Sequence, residues 1–246
     1  MHAILVQASE LNRRGVLSGD RGFSFESYRR ALYLLLAKPS LGYEIIISSS
    51  KPLLLRSVNS LVYQSHLYHI MLSSGKSDGS RQARSCRIDP CIVDKSFEFH
   101  PDEDKDISPA QQIRIYMGML FFNLASTIHL SVDSLRYPEY ALRVALELYE
   151  VGFDLLLQVD DEGLFSNDSN NNDWPADISL AILTNMAEIH WTLSEFAKAA
   201  RLMELQQSLL EIVESNVRQS CYSEQELEAF AMNIHLMRTP SGAAVA

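Results

Sequence analysis

The sequence predicts an all-α chain assembled from helix hairpins, and three observations carry that prediction. Apolar residues recur at spacings of three and four over several long stretches, the period of one helix face. Two such stretches open on capping boxes, Ser108-Pro109-Ala110-Gln111 and Ser223-Glu224-Gln225-Glu226, which satisfy the orphan amides of a helix start. A short pattern is written twice, Asn123-Leu124-Ala125 and Asn185-Met186-Ala187, each inside a long amphipathic stretch that a second one follows. Hairpins that recur with a small residue at their crossing build a short solenoid, whose asset is surface.

Residues 9–38 read as a first hairpin, with a short arm at 11–17, a turn at Gly19-Asp20-Arg21-Gly22, and a longer arm from Phe23 ended by Pro39. Residues 40–106 lose regularity and read as an insertion. It holds an apolar-periodic run at 53–72, a Ser-, Gly-, Lys- and Arg-rich stretch at 73–87 expected to be disordered, and brief extended segments at Cys91-Ile92-Val93 and Phe97-Glu98-Phe99. Regular structure resumes over residues 108–237. Ser108 caps a helix with Pro109 at its first position, and Ile113, Tyr116, Met117, Leu120, Phe121, Leu124 and Ile128 lie on one face. After Pro138 a partner helix carries Tyr140, Val144, Leu148, Val151, Leu155 and Leu156. An acidic loop is expected at 160–177, then a helix from about Pro175, a turn at Ser194-Glu195, a partner helix from Phe196, and a last helix after Ser223. The tail after Thr239 should fray.

Composition restricts the functional classes. The chain has 246 residues, 47% of them hydrophobic, enough for a sizeable core. The longest uncharged stretch of the first half, 57–75, carries Asn59, Gln64, His66 and His69, and the N-terminus lacks a basic leader, so neither a membrane span nor a secretory signal is expected. Three cysteines, Cys86, Cys91 and Cys221, are an odd count that speaks against a disulfide framework and for a reducing compartment, cytosol or nucleus. Residues 1–100 hold 13 Lys and Arg against 8 Asp and Glu, a net of +5, and residues 101–246 hold 8 against 23, a net of −15. An acidic surface favours basic peptides and repels phosphates, which excludes nucleic acid as the expected partner.

The C-terminal hairpins resemble tetratricopeptide repeats (TPR), helix-turn-helix units of about 34 residues with small residues where the helices cross. In the third hairpin the resemblance rests on Leu183, Met186 and Ala187 in the first helix and Phe196, Ala199 and Met203 from the turn onward, in register without gaps. In the second it rests on Leu124 and Ala125, then on Ala145, Tyr149 and Gly152 after extra residues in the turn. In the first it rests on Ser24, Tyr28 and Ala31, with a first helix that is too short. The interval from Asn123 to Asn185 is 62 residues, so a compact set of three hairpins with insertions is expected and not a regular array.

That resemblance implies a non-enzymatic protein-binding scaffold or adaptor with no cofactor and no metal, holding a peptide segment in a concave groove lined by first helices. In this register Asn123, Ser126 and His129 of one hairpin and Asn185, Glu188 and Trp191 of the next point into the groove. Asparagine serves a peptide backbone as donor and acceptor, and Trp supplies an apolar anchor. The competing reading of the two asparagines is that they bond neighbouring helices. A carboxylate clamp is not expected, because Ala181 and Asn185 stand where such clamps carry Lys or Arg.

Other constellations are sparse. Cys86, Cys91 and His100 lack the second pair that a structural zinc site needs. The alternative function, an enzyme or regulatory subunit, would place its site in the insertion at 40–106 and use His66, His69 or Cys86. Asp160-Asp161-Glu162-Gly163 lacks the alternating ligands of a calcium loop.

Overall fold

A computed structural model describes residues 2–36, 108–132, 138–160, 174–215 and 222–238. Among these the chain is all-α. The helices are α1 (His2–Leu17), α2 (Arg21–Leu36), α3 (Pro109–His129), α4 (Pro138–Asp160), α5 (Trp174–Thr192), α6 (Phe196–Ser215) and α7 (Glu224–Arg238). The expectations for the insertion at 40–106, including its disordered stretch at 73–87, its extended segments, His66, His69, Cys86, Cys91 and His100, lie outside the described residues. So do Cys221 and the tail.

Each local signal acts through identifiable atoms. At α2, Asp20 caps the helix: its Oδ1 accepts from the amides of Gly22 at 2.8 Å and Phe23 at 3.2 Å. At α3, Ser108 Oγ accepts from the Gln111 amide while Gln111 Oε1 accepts from the Ser108 amide, with Pro109 opening the helix. The same reciprocal pair forms at α7 between Ser223 and Glu226. The α5–α6 turn closes by a paired-amide cap in which the Glu195 amide reaches the His190 carbonyl at 2.8 Å and the Ser194 amide reaches Trp191 at 3.0 Å. Ser194 takes φ 61° there, a left-handed conformation that glycine ordinarily supplies.

The helices pack as adjacent pairs, α1 with α2, α3 with α4 and α5 with α6, and α7 rests on α6. Between pairs, α2 lies on α3 and α4 on α5, while the first helices α3 and α5 also touch. This arrangement is compatible with a helical repeat fold. Every described residue from 113 to 129 in α3 and from 175 to 190 in α5 is buried, whereas α4 and α6 keep charged outer faces. A helix that is apolar on nearly all sides belongs to an interior, and these two form it.

Small residues decide how closely the pairs approach. Gly118 and Gly152 face each other across the α3–α4 crossing: a Cβ on Gly152 would lie 3.1 Å from the Gly118 carbonyl oxygen and 3.2 Å from the Phe121 Cβ. Across α5 and α6, Ala187 and Ala199 are fully buried beside Met203, under Trp191 and Leu202. Between α1 and α2, Gly15 receives the ring of Tyr28.

One boundary differs from the sequence reading. The first hairpin begins at His2 and not near residue 9, so its first helix is of full length. Its inner face buries Leu5, Ala8, Asn12 and Gly15, with Ile4, Leu11 and Val16 packed beside them, so the apolar residues are interrupted by a polar and a small one at the two middle turns. Of the acidic loop expected at 160–177, residues 161–173 lie outside the described residues, Asp160 ends α4, and α5 starts at Trp174, close to the expected start, with Pro175 in the first turn and Asp177 near the positive helix end. Asp177 is buried, and its carbonyl accepts from the Tyr222 hydroxyl at 3.2 Å.

Substituting Leu for Ala187 or for Ala199 should overpack the α5–α6 crossing and cost about 1–3 kcal/mol in urea unfolding, with the slope of the transition unchanged.

Candidate functional site

Polar side chains inside an apolar interior must find partners there, since an unmet buried donor or acceptor costs about 1–3 kcal/mol. Of the six residues that the sequence expects to point into a groove, Asn123, Ser126, His129, Asn185 and Glu188 are instead buried as rungs between helices. Asn123 is 1% exposed, and its Nδ2 donates to Oδ1 of Asn12 in α1 at 2.9 Å. Asn185 is fully buried, and its Nδ2 donates to the Tyr149 hydroxyl of α4 at 2.9 Å. Ser126 hydrogen-bonds the same hydroxyl, so Tyr149 joins α3, α4 and α5 at one oxygen. Burial pushes the Tyr149 hydroxyl well above its ordinary range, against the opposing effect of the Ser126 and Asn185 bonds. It therefore stays a neutral phenol.

The third rung is ionisable. His129 Nε2 lies 2.6 Å from Glu188 Oε2, joining the C-terminal end of α3 to α5, and Thr192 Oγ1 donates to the other Glu188 oxygen at 2.9 Å. The side chains are 2% and 11% exposed. The His129 ring stands edge-on to Tyr149, with centroids 6.2 Å apart, so the second and third rungs pack together.

Five of the six residues thus spend their polar atoms on neighbouring helices, and both asparagines do so. Trp191 is the member that reaches the surface. It is half-buried and meets Phe196 edge to face at 5.0 Å, and Phe196 itself is 53% exposed. The pair sits on the α5–α6 turn within a charged cluster. Glu195 Oε2 contacts His190 Nδ1 at 2.7 Å and Lys198 Nζ at 2.9 Å, and its other oxygen meets Arg143 Nη1 of α4 at 3.4 Å. Hydrogen bonds from Lys198 and then His190 hold the Glu195 carboxyl at about 2.

The sequence reading missed Asn12, Tyr149 as the hub, Thr192, and the bond from Gln206 Nε2 to Thr184 Oγ1 at 2.8 Å, which ties α6 to α5. A detectable signal existed for two of these: Gln206 and Asn12 fall on the inward stripes of α6 and α1, positions where a polar residue announces a partner. Among the described residues no helix is long and apolar enough to cross a membrane.

Asn185→Ala removes one donor and leaves a cavity, so it should lower stability by about 1–3 kcal/mol, and Tyr149→Phe, which keeps the ring but strands Asn185 and Ser126, should cost at least as much; chemical unfolding of both variants checks this. The Glu195 carboxyl has a lowered value in the folded chain, so its stabilisation is present above 4.5 and is lost as the pH falls toward about 2. Glu195→Gln should flatten the acid limb of a melting-temperature profile in that window. Comparison with models of known protein families, with curated proteins and with solved structures finds no match to this chain.

Proposed function

We propose that the chain is a non-enzymatic protein-interaction module of TPR type, a scaffold or adaptor that takes a peptide segment of a partner at the end of its first helices, where Trp191 and Phe196 reach the surface at the α5–α6 turn. The observation that supports this reading best is the side-by-side placement of first helices from successive hairpins, pinned by rungs such as Asn12–Asn123 and His129–Glu188. Such rungs set the spacing and register of a repeated surface, which is what a repeat scaffold offers a ligand. Within the face defined by Asn123, Ser126, His129, Asn185, Glu188 and Trp191, the buried five fix the geometry. Trp191, with Phe196 beside it, supplies the contact, since an aromatic surface anchor contributes much binding energy per residue.

The partner's chemistry follows from charge. The exposed face of α4 carries Glu139, Glu147 and Glu150 against one Arg143, and residues 101–246 hold a net of −15. A basic peptide is therefore the favoured ligand, and association should weaken with salt.

The test is a peptide array that samples basic, neutral and acidic sequences, probed with the labelled chain. A subset of basic peptides should bind, and Trp191→Ala should weaken those hits by about tenfold or more at a temperature where circular dichroism shows both chains folded. Retention of full affinity by Trp191→Ala would overturn the assignment of the surface, and binding confined to acidic peptides would overturn the partner class.

A further inference from the structure

The outer face of α1 carries a stripe that is complementary to itself. Val6, Glu10, Arg13 and Leu17 are spaced by four, three and four residues, so at 100° per residue they fall within one narrow sector of the helix. All four project away from the hairpin. Val6 is 43% and Leu17 69% exposed, the latter the most exposed large apolar side chain among the described residues, and the side chains of Glu10 and Arg13 are 41% and 52% exposed. The inward side of α1 is a separate set, Leu5, Ala8, Asn12 and Gly15, already committed to α2 and α3.

The spacing is palindromic. If a second α1 is laid antiparallel on the first about a twofold axis between residues 11 and 12, Val6 meets Leu17 of the other copy, and Glu10 meets Arg13, each pair occurring twice. That is the requirement for an isologous interface, in which residue i contacts j and j contacts i. An apolar pair thus closes each end and two opposite charges face each other in the middle, whereas a parallel pairing in register would set Glu10 against Glu10 and Arg13 against Arg13. A second observation concerns the ends. At the α1–α2 turn the surface is hollowed into a shallow depression lined by Arg14, Leu17, Ser18, Asp20 and Phe23, whose Phe23 is 53% exposed. In the antiparallel arrangement this depression lies where Val6 of the other copy arrives.

We infer that the α1 outer stripe is a docking surface for a second copy of this chain, paired antiparallel through Val6–Leu17 and Glu10–Arg13 contacts. In the single chain Glu10 is held instead by Arg13 and Arg14 of its own helix, each at 3.0 Å. Exposed pairs of this kind hold weakly and exchange readily for partners across an interface. The surface is separate from the Trp191 face, so the two assignments stand or fall independently.

Light scattering behind size-exclusion chromatography, over a dilution series, tests the inference. The wild-type mass should rise from one chain toward two as concentration increases. Arg13→Glu opposes like charges and should raise the dimer dissociation constant by at least about tenfold, and Leu17→Glu should do the same. Reversing Glu10→Arg, Arg13→Glu and Arg14→Glu together restores the complementarity and should restore the dimer, with circular dichroism unchanged throughout because every altered side chain is on the surface. A wild-type chain that stays monomeric at hundreds of micromolar, a dimer indifferent to Leu17→Glu and Arg13→Glu, or failure of the triple reversal to restore pairing would each overturn it.

Discussion

The burial of α3 and α5 on nearly every side is the constraint from which the other features follow. A helix in that position cannot turn a polar group to solvent, so Asn123, Ser126, Asn185 and Glu188, Thr184 Oγ1 and the Nε2 of His129 find partners on neighbouring helices. Each of those bonds has a direction and a length, which apolar contact lacks. Asn123 with Asn12 sets α1 against α3, Asn185 and Ser126 with Tyr149 set α4 against both central helices, and His129 with Glu188 sets α3 against α5. A slip of one residue along any helix would strand several donors at once. The rungs therefore select one register among the many that leucine-rich packing would tolerate.

Close approach is the complementary device. Gly118 and Gly152 let the α3 and α4 backbones come close, where Ser126 of α3 bonds the Tyr149 hydroxyl of α4, and Ala187 with Ala199 allow the same closeness in the last pair. The small residues control distance, and the polar ones control register. At the turn edge a third set acts between pairs: Arg21 Nη1 donates to the Leu130 carbonyl at 2.6 Å, capping the end of α3 from α2, and Arg143 reaches Glu195. The hairpins are thus tied at their turns as well as through their interiors.

Much of the local structure was legible. The starts of α3 and α7 follow from their capping boxes, and the α4 span follows from Pro138 and the spacing of its apolar residues, because each of these signals acts within one turn of the chain. The start of α1 was read too late although Ile4, Leu5, Ala8 and Leu11 already recur at helical spacing, because no cap marks it and Asn12 and Gly15 interrupt the stripe; their suitability depends on the Tyr28 ring and Asn123 that fill the space opposite. Three-residue spacing aligns Asn123, Ser126 and His129 on one side of α3 and Asn185, Glu188 and Trp191 on one side of α5, and that much is local. Their partners were beyond reach, as Asn12 and Asn123 are 111 residues apart in the chain and Glu188 is 59 from His129.

By itself, then, the amino-acid order determined the helices, their caps, their inward stripes and the small residues at their crossings, because these depend on neighbours three or four residues away. Only the tertiary structure decided what the polar members of those stripes do. A buried asparagine bonds a helix or a ligand according to which atoms lie within about 3 Å of it, and that distance is set by the packing of helices remote in sequence. The same packing left Trp191, Phe196 and the outer stripe of α1 at the surface, where they are available to other molecules.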